Sequence, residues 1–257
     1  MTTNALILRA AGINCERETA TACEKAGFAA DVVHVNRVVE KPALLGEAQL
    51  LIVPGGFSYG DDIASGRVLA NELRVKLMDP LREFVRAGKL VLGICNGFQV
   101  LVKSGLLPDP FAAYPPPVTL TYSDIGRFQD RWVRLKVVSP RSPFWTQGDT
   151  IECAVTHGEG KFVAKDEATL HALDTSGQVV LKYVDEQGRE SGFPHNPNGS
   201  QRSIAGICDP TGRVMGLMPH PEKNQDATNH PQWTRRGLRE PDGMKPFLAA
   251  AGYCKAL

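Results

Sequence analysis

The sequence predicts an α/β fold: a mainly parallel central sheet flanked by helices, with an added antiparallel β layer. Three observations carry this. The first half alternates short apolar runs (5–8, 31–35, 50–53 and 90–94) with helical stretches. Runs that are mainly apolar, rather than alternating, belong to parallel strands covered on both faces. Glycine-rich segments leave the ends of two of them, at 54–62 and 93–97, where open α/β sheets bind ligands. The second half turns mostly β, with runs at 131–138, 150–156, 178–184, 203–207 and 213–218 separated mainly by Gly, Pro, Asn and Asp.

The 257 residues suffice for a sizeable core. Hydrophobic residues make up 42% and charged residues 22%, and the net charge is +1. No basic cluster is long enough for a nucleic-acid footprint, so no nucleic-acid partner is expected. No apolar run approaches the roughly 20 residues of a membrane helix, and the N-terminal segment reads as a strand, not a leader. The six cysteines form no C-x-x-C pair, so the expectation is free thiols in a reducing cytoplasm, with no metal.

Taken in order, the first strand at 5–8 is followed by a loop and a helix over 15–26. Asn14 is expected to cap that helix, Glu16 and Glu18 lie in its first turn, Lys25 in its last, and Gly27 stops it. A strand at 31–35, a helical turn around 42–47 and a strand at 50–53 complete a β-α-β-α-β pattern. The 54–62 loop lacks the lysine and spacing of a phosphate loop. Its paired glycines instead suit a backbone donor close to a ligand. Helical segments follow at 63–78 and 80–87, separated at Pro80 and ended by Gly88. A segment with five prolines, at 106–118, divides the chain by character. A last helical pattern covers 242–253. The expected domain is 1–222, with 223–257 an extension packed on it.

Residues 90–99 carry the chemistry. An apolar strand runs into a helix, and Cys95 sits at the join between Gly93 and Gly97. This is the G-x-nucleophile-x-G pattern of a nucleophile elbow, with Cys for Ser. The free N–H groups and the dipole at a helix start favour a thiolate, and the Asn96 N–H is placed for an oxyanion. A small buried hydrophobic Cys is the plainer alternative. A nucleophile needs a base and an orienting group, and Met218-Pro219-His220-Pro221-Glu222 offers both. Pro221 biases His220 to an extended state, in which residues i and i+2 point the same way. The Glu222 carboxylate would then hold one imidazole nitrogen while the other faces the thiol. His34 and His171 read as structural residues in or near strands, and His195 and His230 as turn residues. His157 in Thr156-His157-Gly158-Glu159-Gly160 is the one rival, as a base, a metal ligand, or part of a loop that contacts a ligand through its backbone.

These segments resemble the triad-type glutamine amidotransferases, and within them the family of glutaminase subunits of phosphoribosylformylglycinamidine synthase. The resemblance rests on PGGFSYGD (54–61), GICNGFQ (93–99), RWV (131–133), HGEG (157–160), NPNGS (196–200), AGI (205–207) and MPHPE (218–222). It implies the flavodoxin-like class I amidotransferase fold, Cys95 as nucleophile, His220 as general base and acid, and Glu222 as its orienter. It implies Gly56 and Asn96 as oxyanion donors, and Gln99, His157 and Gly158 as glutamine-binding residues. It gives no role for 196–200, read either as a subunit contact or as a structural turn. The implied reaction is hydrolysis of glutamine to glutamate and ammonia for purine biosynthesis. With no ATP loop and no cofactor in this chain, ATP and Mg are expected on a partner, a large synthetase subunit, and whether a small accessory subunit joins it is left open. The elbow and HPE would equally suit another acceptor, or an inactive scaffold, but the latter is disfavoured because Cys, His and Glu are all present. The insert at 108–117 and the tail from Lys223 depart from the compact form and leave the docking mode undecided.

Overall fold

The computed structural model describes residues 3–257; Met1 and Thr2, the start of the segment read against a leader, lie outside the described residues. The chain opens with β1 (Thr3–Arg9), α1 (Glu16–Lys25) and β2 (Phe28–His34). Helix α1 is not capped by Asn14. Its N-cap is Cys15, and the Asn14 Oδ1 instead accepts from the Cys15 thiol at 3.3 Å. Val35 does not close β2 but opens α2 (Val35–Glu40), whose start is capped by the His34 ring accepting from the Asn36 N–H. Valine-rich sequence favours strand, and only burial of Val35 and Val38 against the core selects a helix here.

Next come α3 (Leu44–Glu47), β3 (Leu50–Val53), α4 (Arg67–Glu72), a π-helical turn (Leu73–Leu77) and α5 (Met78–Arg86). The break in this helical stretch falls at Leu77 (φ −128°, ψ 2°) rather than at Pro80. Pro80 lies in the first turn of α5, where no intrahelical N–H is required. Residues 63–66 are not helical. Strand β4 (Leu90–Ile94) and α6 (Asn96–Ser104) follow as expected.

The second half holds β5 (Val118–Tyr122), β6 (Gln129–Val137), β7 (Thr150–His157), β8 (Glu159–Ala164), α7 (Glu167–Thr175), β9 (Val179–Val184), β10 (Ile204–Cys208) and β11 (Val214–Leu217). The short α8 (Trp233–Arg236) and α9 (Lys245–Cys254) close the chain. His171 lies on α7, not near a strand. Nine strands form one sheet in the order β2-β1-β3-β4-β11-β10-β9-β6-β7. The run from β2 to β11 is parallel, and from β11 outward every pairing is antiparallel. The five strands read from the second half therefore all continue the central sheet. The separate antiparallel layer comes from β5 and β8, two strands the sequence pattern did not reveal.

This order places the site. The loops after β1 and β3 flank the point where strand order reverses, the usual ligand crevice of such sheets. β11 joins the parallel core directly beside β4, in register from Val214 opposite Val91 to Leu217 opposite Ile94. Whatever follows β11 must emerge next to whatever follows β4. In the tail, Phe247, Ala250 and Cys254 of α9 are buried and Tyr253 donates to the Gly88 carbonyl, so this segment packs on the same core.

Candidate active site

Cys95 joins β4 to α6 with φ 51° and ψ −109°. A residue with a Cβ is held in such a state at a cost of about 1–3 kcal/mol, compensated by surrounding structure. That structure is evident. The Cys95 N–H donates to the Leu217 carbonyl at 2.8 Å. A Cβ on Gly97 would lie 1.8 Å from the Val53 carbonyl oxygen, and one on Gly93 2.7 Å from the Gly97 carbonyl oxygen. The elbow is thus clamped between the ends of β3 and β11, and its flanking residues have no room for side chains.

His220 arrives from the end of β11. Its N–H donates to the Ala154 carbonyl of β7 at 2.8 Å, and its Nδ1 meets Glu222 Oε1 at 2.6 Å. The expected pair forms, but not through an extended segment. Pro221–Lys223 is a 3₁₀ turn, with Pro221 at the first helical position that its fixed φ suits. Both side chains are buried. Burial alone would depress the His220 imidazolium; the Glu222 carboxylate, and then the Cys95 sulfur, overcome it and hold His220 well above the usual imidazole range. Cys95 contacts the ring, yet Nε2 has no aligned hydrogen-bond partner. Such bonds are commonly loose before substrate binds.

Two backbone N–H groups are the candidate donors for an oxyanion. Asn96 is the first residue of α6, so its N–H has no intrahelical acceptor. Gly56 has φ 143°, and a Cβ there would lie 2.7 Å from the Gly12 carbonyl oxygen and 2.8 Å from the Asn14 nitrogen. Its neighbours are tied down: Gly55 O accepts from Asn14 and Cys15, and Phe57 N donates to Gly12 O. Gly56 itself lines the cleft.

Sequence reasoning missed how this wall is braced. The Asn96 Nδ2 donates to Asp61 Oδ1 and to Gln99 Oε1, both at 3.3 Å, and Asp61 also accepts from Ser65 Oγ and the Gly66 N–H. Tyr59 and Asp61 take positive φ of 56° and 55° to make this fit. Both residues lie inside PGGFSYGD, so the signal was present only as a string.

A cleft of about 410 Å³ opens over Cys95 and is lined by Gly56, Gln99, Gly158 and His157 among others. That size suits an amino-acid substrate. The Gln99 Nε2 is buried and unpartnered there. His157 ends β7 with neither ring nitrogen paired. Burial, and next the neighbouring His220, push its pKa down to about 4, which keeps it neutral. Gly158 is the single residue between β7 and β8, so this stretch is a tight strand junction rather than a flexible loop. Arg127 is the one cationic residue lining the cleft, and Glu159 and Asp61 are the two carboxylates; of the three, the sequence points only to Glu159, through its i, i+2 spacing with His157.

The 196–200 segment is a buttress. Asn198 Nδ2 donates to Gly160 O at 3.0 Å, Ser200 Oγ accepts from the Phe162 N–H at 2.9 Å, and Asn196 Oδ1 accepts from the N–H groups of Gly199 and Ser200. It ties itself into a turn and props β8 against the cleft. Chemically, the assembled site offers a thiol, an imidazole oriented by a carboxylate, candidate N–H donors at Gly56 and Asn96, and a cleft with both signs of charge. That is the equipment for acyl transfer through a thioester.

Residues 2–254 match the family described as the CobB/CobQ-like glutamine amidotransferase domain. The phosphoribosylformylglycinamidine synthase subunit PurQ of Dehalococcoides mccartyi is 44% identical over 97% of this chain and 97% of its own length. The subunit of the same name from a strain of Methanococcus maripaludis is 41% identical over 89% of this chain and 85% of its own. Among solved structures, a chain of PurLQS from Thermotoga maritima superposes with a TM-score of 0.76 at 32% identity, covering 98% of this chain and 99% of that one. A glutamine amidotransferase of Thermotoga maritima, at 17% identity and a TM-score of 0.57 over 99% of both chains, shares the fold. The chain belongs to the CobB/CobQ-like glutamine amidotransferase family.

Proposed function

From this membership we propose that the chain is the glutaminase subunit of phosphoribosylformylglycinamidine synthase. The observation that carries the reading is the strained Cys95 elbow set beside the buried His220–Glu222 pair, in a chain similar along its length to PurQ subunits.

The Cys95 thiolate attacks the side-chain amide carbon of glutamine. The oxyanion that forms accepts from the Gly56 and Asn96 N–H groups. His220, its ring held by Glu222, gives its proton to the departing ammonia, leaving a glutamyl thioester. His220 then takes a proton from water, which attacks the thioester, and glutamate leaves. Gln99, His157 and Gly158 line the substrate's place. Arg127 is the cation available for its α-carboxylate, and Glu159 the carboxylate available for its α-ammonium, because Asp61 is already engaged by Asn96, Ser65 and Gly66.

Ammonia is the useful product. It passes to a large synthetase subunit that binds ATP and Mg and converts formylglycinamide ribonucleotide to formylglycinamidine ribonucleotide, with a small accessory subunit completing the assembly. The docking face is the cleft rim, where Phe57, Ile63, Tyr122 and Phe128 are exposed, Ile63 at 75% and Tyr122 at 72%. Residues 1–222 form the amidotransferase domain and 223–257 its packed extension. Among the described residues no helix is long and apolar enough to cross a membrane.

The test uses the assembled enzyme. Cys95→Ala abolishes glutamine-dependent synthesis while added ammonium still supports it. Survival of glutamine-dependent turnover overturns the assignment.

A further inference from the structure

Cys15 belongs to neither the elbow nor the HPE segment, yet it touches the same imidazole. It sits at the start of α1, in the loop after β1, and is buried. A Cβ on Gly55 would meet His220 Cε1 at 2.7 Å and the Cys15 sulfur at 3.4 Å, so glycine at 55 lets the ring and the thiol share one space. The ligand atoms of Cys15, His220 and Glu222 all lie within 4.8 Å of one another, the one such group of metal-ligating side chains among the described residues. A second observation points to a ligand. Glu222 is wholly buried, and while Oε1 meets His220, Oε2 has no hydrogen-bond partner. A buried carboxylate oxygen left unsatisfied calls for an explanation.

We propose that Cys15, His220 and Glu222 form an inhibitory zinc site behind the nucleophile. One soft sulfur, one imidazole nitrogen and one carboxylate are ordinary zinc ligands. At zinc bond lengths of about 2.0–2.3 Å, tetrahedral geometry puts ligand atoms roughly 3.3–3.8 Å apart, within a small adjustment of those present. The exchange also balances charge. One Zn²⁺ replaces two protons, the Cys15 thiol proton and the Nδ1 proton of the imidazolium shared with Glu222; the imidazole keeps its other proton on Nε2. The buried group begins and ends with no net charge, which is the condition for burying ions at low cost. A zinc-bound His220 can no longer take a proton from Cys95 or from water. The inhibition rests on the proposed glutaminase reading; the binding does not.

Two measurements separate them. The metal-replete chain alone, loaded with Co²⁺ as the spectroscopic substitute, gives a thiolate-to-cobalt charge-transfer band at one metal per chain. The band is lost in Cys15→Ser and in Cys15→Ala and kept in Cys95→Ser. In the assembled enzyme, zinc inhibits glutamine-dependent turnover, and Cys15→Ser raises the half-inhibitory concentration by at least about tenfold relative to its own zinc-free rate. Should the Cys15 variants not fold, zinc protection of Cys15 from alkylation in the wild-type chain, read by peptide mapping, serves instead. A band that persists without Cys15, a band lost with Cys95, or no protection of Cys15 overturns the proposal. Absence of turnover in zinc-free enzyme would instead count against the glutaminase reading.

Discussion

The Asn96 Oδ1 accepts two hydrogen bonds from Ser58, one from its backbone N–H at 3.1 Å and one from its hydroxyl at 2.7 Å. The side chain next to Cys95 therefore fixes the loop that carries Gly56, the other proposed oxyanion donor. Replacing it by Asn96→Leu keeps the backbone N–H but frees the 54–62 loop. A donor displaced by about 1 Å can cost a hundredfold in rate. Steady-state assays should show kcat for glutamine falling between tenfold and about a hundredfold, with ammonium-dependent synthesis unchanged. A wild-type kcat would remove this role from Asn96.

Gly97 is a stricter constraint. A Cβ there would lie 1.8 Å from the Val53 carbonyl oxygen, a backbone atom that cannot swing aside. Gly97→Ala is expected to lower stability by about 3 kcal/mol or more, in the range of overpacked core substitutions. Denaturant unfolding measures this directly.

Arg127→Gln and Glu159→Gln should act on substrate capture. If Arg127 meets the α-carboxylate and Glu159 the α-ammonium, each change raises KM for glutamine by about ten- to a hundredfold, the worth of a charge-assisted hydrogen bond. Because neither touches the reacting amide, kcat changes less. An unchanged KM in both variants would remove these residues from the site.

His157 gives a pH signature. Its folded pKa is pushed down to about 4, first by burial, against an ordinary 6.5. A histidine depressed in the fold contributes stability that is present above 6.5 and lost as pH falls from 6.5 toward 4, because the unfolded chain takes up the proton first. The full contribution is of order 3 kcal/mol. Urea midpoints measured across this window should fall with acid in the wild type, and fall less steeply in His157→Asn.

The thiols should separate by reactivity. Burial pushes the Cys23 and Cys208 thiols up to about 12, Cys254 to about 11, and Cys153 well above its ordinary value. Iodoacetamide near neutral pH should therefore modify Cys95 well before these four in the folded chain. Peptide mapping by mass spectrometry after brief exposure checks the order.

Where local pattern and tertiary packing agree, the fold was legible. Residues 50–53 are apolar throughout and 90–94 are apolar but for Gly93; both are buried at every position and form strands. Legibility failed where packing overrode propensity. Val35 reads as the end of a strand and instead opens a helix. β8 was hidden because one glycine separates it from β7, so HGEG read as a loop. The contact between His220 and Glu222 follows from their spacing, and His220 stays outside the α region at φ −107° and ψ 87° as the following proline biases it, but Pro221 opens a 3₁₀ turn instead of continuing an extended segment. The side-chain network of Asn96, Ser58 and Asp61 and the approach of Cys15 to His220 depend on strand order. No spacing within one segment could disclose them.

The pairing of β4 with β11 has a consequence for how the protein comes into being. Cys95 is synthesised early, and its elbow can close only when Leu217 arrives to accept its N–H. His220 and Glu222 follow a few residues later. A ribosome-bound chain that has emerged as far as the 196–200 turn thus holds the proposed nucleophile without the proposed base or the strand that clamps it. The thiol is armed last, when nearly the whole chain is out, so a truncated product would be inert by construction rather than a source of unguided ammonia.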